Sequence, residues 1–156
     1  MVALVQRVRS ASVTVEDRAV GRIEGGLLVL LGVHRTDTEQ EAAWLARKVA
    51  TLRIFADNDG RMNWSVLDLA ESGIRAGVLV VSQFTLYGSL KKGTRPSYSE
   101  AAGPDRAEPL YERFVALLEA ELGQPVPTGV FGAQMNVMLT NDGPVTLWLE
   151  RRAKAT

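Results

Sequence analysis

Apolar and polar positions recur along this chain in two rhythms, which divide it into strands and helices. From Val2 to Val15, β-branched residues stand in partial alternation, Val13 and Val15 against Ser12 and Thr14, which predicts a long first strand. Glu16-Asp17-Arg18 reads as a turn, and Ala19 to Ile23 as a short return strand. Gly25-Gly26 breaks the pattern before Leu27-Leu28-Val29-Leu30-Leu31, an unbroken apolar run suited to a buried central strand. The rhythm then changes. Ala42, Leu45, Val49 and Leu52 follow the spacing of one helical face, with Asp37 or Thr38 able to cap that helix and Glu39 and Glu41 in its first turn. Arg53-Ile54-Phe55 predicts a short strand ended by the turn Asp57-Asn58-Asp59-Gly60, and Val78 to Val81 a further strand that delivers Ser82-Gln83-Phe84-Thr85 at its end.

A second helix is predicted over Asp105 to Leu122, with Leu110, Phe114, Leu117 and Glu121 on or near one stripe. Gly123 stops it, and Pro125 and Pro127 prevent its return. Gln134 to Thr140 and Val145 to Glu150 read as two closing strands joined by a hairpin turn at Asn141-Asp142-Gly143-Pro144, all turn-forming residues. About eight strands and two main helices that do not strictly alternate predict an α+β fold with a curled, barrel-like, mostly antiparallel sheet. With 156 residues and no linker, repeat or low-complexity tract, residues 1–156 are expected to form a single domain.

Composition removes several classes of chemistry. There is no cysteine, hence no disulfide framework, thiolate nucleophile or Cys-ligated metal. Met1 to Arg7 is too short and too soon charged for a signal peptide, and no apolar run approaches the ~20 residues of a bilayer span, so a soluble cytosolic protein is expected, without membrane association. The 18 basic and 18 acidic residues cancel, which is not the footprint of a chain held on nucleic acid mainly by counterion release. Basic residues nevertheless cluster at Lys91-Lys92-Gly93-Thr94-Arg95 and at Arg151-Arg152, where they can touch phosphates or form a solvated loop and tail.

Ser82, Thr85, Ser97 and Thr146 are the candidate hydroxyls, but a hydroxyl nucleophile needs a neighbouring base. The one histidine, His34, follows the second apolar strand and reads as a surface residue. Gly-x-Ser-x-Gly, His-Glu-x-x-His and Walker patterns are all missing. Asp57-Asn58-Asp59-Gly60 opens like a calcium loop, but position 65, where a glutamate is required, is Ser65. Gln83-Phe84-Thr85 has two readings. Its backbone N–H groups at a strand end can hold an oxyanion without any ionisable residue, or it is an ordinary strand terminus with Phe84 in the core.

At these residues the chain resembles the D-aminoacyl-tRNA deacylase (D-tyrosyl-tRNA deacylase) family. The resemblance is carried by Arg7-Val8-x-x-Ala11-Ser12-Val13, Ser82-Gln83-Phe84-Thr85-Leu86 and Gly93-x-Arg95-Pro96-Ser97-Tyr98. Gly129-x-Phe131-Gly132-Ala133-x-Met135 and Asn141-Asp142-Gly143-Pro144-Val145-Thr146 complete it. Each piece alone is weak; five in order span nearly the whole chain.

The resemblance implies that fold, and hydrolysis of the ester joining a D-amino acid to the 3′ end of tRNA, by a homodimer without metal or other cofactor. It implies a cis Gly143-Pro144 bond reaching into the partner subunit's site. Gly143 and Pro144 would turn their carbonyls to the substrate's α-ammonium and fill the space that an L side chain needs. A wall of that kind rejects a side chain without recognising D chirality, so glycyl-tRNA is expected to pass. By the same resemblance Ser82, Gln83, Phe84 and Thr85 line the pocket, with Gln83 to Thr85 catalytic, while Phe131 and Met135 shape an adenosine pocket or simply pack. Arg7 braces the Gly-Pro segment or is a surface arginine. Either Thr85 or the substrate's own 2′-hydroxyl drives hydrolysis, and the missing histidine base favours the 2′-hydroxyl. A Ser/Thr esterase on another acylated metabolite, or a silent module binding the tRNA 3′ end, are the alternatives.

Overall fold

In the computed structural model, which describes residues 1–154, the first strand organises everything around it. Strand β1 (Val2–Val15) pairs on one edge with β2 (Arg18–Ile23) through its second half and with β3 (Gly26–Gly32) through its first half. Its other edge is covered along nearly its whole length by β7 (Asn136–Glu150). Strand β6 (Gly77–Ser82) adds to β3 in parallel, giving a curled five-stranded sheet. The segment between β3 and β6 carries helix α1 (Glu39–Ala50), the small β4–β5 ribbon (Phe55–Ala56 and Met62–Trp64) and helix α2 (Val66–Glu71). Helix α3 (Pro104–Leu122) then packs beside α1. The architecture is α+β.

The unbroken apolar runs are explained by burial on both faces of the sheet. Leu27, Val29, Leu31, Val78 and Val80 join Leu45, Val49, Phe114 and Leu118 of the two long helices in one core. The alternate residues Leu28, Leu79 and Val81 meet Val8, Val13 and Ile23 in a second. Gly26 (φ 149°) permits the close β3–β6 approach, because a Cβ there would lie 1.9 Å from the Gly77 carbonyl oxygen. Phe114 has no exposed surface. Phe114→Ala is expected to cost about 3–5 kcal/mol. For a domain of this size that lowers Tm by roughly 10 °C in a reversible thermal melt.

Several sequence expectations need correction. Thr38 alone caps α1, in a reciprocal box with Glu41. Asp37 is buried instead, accepting from the Met1 ammonium at 2.7 Å and from the His34 N–H at 2.6 Å. Helix α2, built on a second capping box between Ser65 and Asp68, was not foreseen because it is only six residues long. The buried stripe of α3 is Ala107, Tyr111, Phe114 and Leu118, with Leu117 half-buried and Glu121 exposed. The strand expected from Arg53 begins at Phe55, and the described residues form seven strands rather than eight. His34 is partly buried: its Nδ1 lies 2.8 Å from the Thr36 hydroxyl and its ring rests against Tyr87.

The largest correction concerns Asn141 to Pro144, which do not form a hairpin. Thr140 faces Ser10 and Thr146 faces Gln6, so the chain runs in one direction along β1 through the whole of β7. Residues 141–145 stand opposite only 7–9, and the two surplus residues are thrown out of the ladder as a bulge. Proline, lacking a backbone donor, is confined within a sheet to such edge and bulge positions.

Candidate active site

Strand β6 ends at Ser82, and the chain turns at once into a 3₁₀ helix over Phe84–Tyr87. Gln83 N–H still bonds the Leu31 carbonyl at 2.7 Å, while the Leu86 and Gly88 N–H groups bond Gln83 and Thr85 carbonyls. Between them, the Phe84 and Thr85 N–H groups have no protein acceptor among the described residues, as the first donors of any helical turn do not. Phe84 is 57% exposed, so of its two readings the one that buries it in the core does not hold. Its ring meets Tyr98 edge-on at 5.0 Å.

This turn borders a cleft of about 520 Å³. Ser82, Gln83 and Phe84 form one side, Phe131 to Met135 another, and Tyr111 with Ala107 of α3 the floor. Sequence reasoning missed Tyr111, although it lies one helical turn before Phe114. Its hydroxyl donates to the Val80 carbonyl at 3.1 Å, and burial pushes its pKa up to about 12, so it stays neutral. Met135 is held at the rim by Gly129, where a Cβ would fall 2.5 Å from the Met135 sulfur. Among the described residues no cluster of three or more His, Asp or Glu side chains is placed to hold a metal.

The cleft therefore gathers Ser82, Gln83, Phe84, Phe131 and Met135, but not Thr85, Arg7, Gly143 or Pro144. Thr85 is exposed beside it, and its hydroxyl accepts from the Gln83 carboxamide. A carboxamide cannot take its proton, and no basic side chain reaches that hydroxyl among the described residues. Gly143 and Pro144 are exposed at the β7 bulge, joined by a cis peptide bond. Asn141 pins the bulge from within: its Oδ1 accepts from Val145 N–H at 2.9 Å and its Nδ2 donates to the Val145 carbonyl at 3.1 Å. Arg7 pins it from outside, donating to the Asp142 carbonyl at 3.0 Å and to the Ile54 carbonyl at 2.6 Å.

Comparison with known proteins decides the relationship. Residues 4–150 match the family model described as D-Tyr-tRNA(Tyr) deacylase. The chain belongs to this family. It is 61% identical over 153 residues to a D-aminoacyl-tRNA deacylase of Salinibacter ruber, covering 98% of this chain and 99% of that one. It is 54% identical over 154 residues to another of Thermus aquaticus, covering 99% and 97%. Among solved structures, one titled "c-Myc DNA Unwinding Element Binding Protein" superposes with a TM-score of 0.89 at 39% identity, over 98% of this chain and all of that one. A probable eukaryotic D-amino acid tRNA deacylase, 19% identical with a TM-score of 0.78 over 95% and 97% of the chains, shares the deacylase fold. No helix among the described residues is long and apolar enough to cross a membrane.

Proposed function

We propose that this chain is a cytosolic D-aminoacyl-tRNA deacylase that hydrolyses the 3′ ester with backbone groups and excludes L-amino acids by a steric wall. Family membership supplies the substrate class. The observation that carries the chemistry is the pair of unpartnered Phe84 and Thr85 N–H groups at the lip of the cleft. Attack of water on the ester carbonyl places negative charge on its oxygen, and two preoriented amides stabilise that charge where it develops. The departing 3′-oxygen takes up a proton. The substrate's neighbouring 2′-hydroxyl is the group available to position water and relay that proton, because Thr85 has no base. The terminal adenosine occupies the space between Phe131, Met135 and Tyr111.

The wall comes from a second copy. Gly143 and Pro144 are exposed and lie outside the cleft of their own chain, whereas a chirality filter must stand beside the reacting carbon. On the same strand, Met138 and Trp148 are 66% and 51% exposed, an apolar surface suited to burial between two copies. In such a dimer the Gly143 and Pro144 carbonyls face the α-ammonium, while Arg7 and Asn141 keep the bulge rigid.

Incubation with D-tyrosyl-tRNA and L-tyrosyl-tRNA tests the assignment. The D ester is expected to be cleaved with a preference of at least about 100, equivalent to about 2.7 kcal/mol. Loss of both esters indicates an esterase without a filter; loss of neither indicates a binding module. Gly129→Ala offers a milder check on the adenosine pocket. The added methyl displaces only the flexible end of Met135. KM for D-tyrosyl-tRNA is expected to rise about tenfold, the effect of losing ~1.4 kcal/mol of contact, with kcat and Tm little changed.

A further inference from the structure

Beyond the 3₁₀ turn the chain forms a closed hairpin that no part of the site uses. Ser89 and Ser97 exchange both backbone hydrogen bonds, at 2.8 and 2.9 Å, and hold out a tip from Leu90 to Pro96. Gly93 turns that tip with a left-handed φ of 77°. It carries Lys91, Lys92 and Arg95, all exposed, and none is paired with a carboxylate among the described residues. From Ser72 to Ser99 the sequence contains no acidic residue at all. In a chain whose formal charge is zero, this is a local excess of positive charge.

Its position matters more than its charge. Tyr98, immediately after the closing pair, packs edge-on against Phe84 at the cleft. Gly88, immediately before it, admits that contact, since a Cβ there would lie 3.0 Å from both the Tyr98 ring and the Thr85 carbonyl oxygen. The hairpin is thus registered against the turn that presents the two free N–H groups, and a tip of this length can reach at most roughly 10 Å beyond the closing pair.

Resting on the deacylase assignment, we propose that the 89–97 hairpin grips the phosphate backbone just inside the aminoacylated end of the tRNA, through Lys91, Lys92 and Arg95. Phe84 lines the cleft and is exposed, so a nucleotide chain whose last residue sits there has a path out along its ring. Cations presented there bind phosphates irrespective of sequence. This supplies the contact with the tRNA body that the balanced overall charge does not.

The test compares wild type with the triple variant Lys91→Ala, Lys92→Ala, Arg95→Ala on two substrates: D-tyrosyl-tRNA, and 3′-O-D-tyrosyl-adenosine, which has no phosphate. For the tRNA, KM is expected to rise at least about tenfold with kcat retained. The slope of log kcat/KM against log salt should become shallower by about 2, the share of three single-strand phosphate contacts. Hydrolysis of the adenosine ester should not change. Unchanged KM and salt slope on tRNA would overturn the proposal, as would equal losses on both substrates. Binding of uncharged tRNA to the two proteins separates this idea from the catalytic one. Should wild type cleave neither ester, weaker tRNA binding by the variant still supports the grip, and equal binding refutes it.

Discussion

Replacing the terminal ribose of D-tyrosyl-tRNA with 2′-deoxyribose is expected to slow single-turnover hydrolysis by about 10²–10⁴-fold, the range that a positioned acid–base group contributes. Thr85→Ala should retain most of the wild-type rate on the ordinary substrate. The contrast follows from the surroundings of Thr85. Its hydroxyl meets the Gln83 carboxamide, which holds it in place but cannot accept its proton. Its backbone N–H, free at the start of the 3₁₀ turn, survives truncation to alanine. A folded Thr85→Ala protein without activity, together with normal cleavage of the deoxy substrate, would make Thr85 the nucleophile.

Gly143→Ala should be the most damaging single substitution at the bulge. Gly143 has φ 149°, a conformation that L side chains rarely adopt, and an added Cβ would lie 2.6 Å from the Val145 backbone nitrogen. That nitrogen is the one held by Asn141, so the clash strikes the clamp itself. Both carbonyls of the proposed wall are displaced together. We expect kcat/KM for D-tyrosyl-tRNA to fall about 100-fold, equivalent to ~2.7 kcal/mol of transition-state contact. The D-to-L preference should shrink in the same assay. Retained selectivity in a folded Gly143→Ala protein would place the filter elsewhere.

The physical pattern of the sequence reaches some parts of this structure and not others. Long periodic elements were legible: β1, β3, β6, α1 and α3 lie where apolar spacing puts them, since burial on one or both faces leaves a mark at each position. Helix α2 was not, because six residues hold too little periodicity to rise above the surrounding turn signals. The bulge was misread for a clearer reason. Asn, Asp, Gly and Pro specify that a chain departs from a straight ladder, but not whether it reverses or rejoins the same strand. That choice is made by β1, which continues past residues 7–9 and recaptures Thr146 opposite Gln6.

The site divides in the same way. Gln83 and Phe84 stand out in the sequence because they end an apolar strand, and Phe131 and Met135 only through the resemblance to the deacylase family. Tyr111 gives no such signal: an aromatic on a helix face looks like core, and here it is both core and cleft floor. The separation of Gly143 and Pro144 from their own chain's cleft is a fact of three dimensions, which motif spacing does not encode.

A steric wall and a D-specific pocket make opposite predictions for an amino acid with no side chain. Hydrolysis of glycyl-tRNA should be measured beside that of D-alanyl-tRNA and L-alanyl-tRNA under single-turnover conditions. Exclusion by the Gly143 and Pro144 carbonyls predicts cleavage of the glycyl and D-alanyl esters and sparing of the L-alanyl ester. Glycyl-tRNA left intact while D-alanyl-tRNA is cleaved would contradict it.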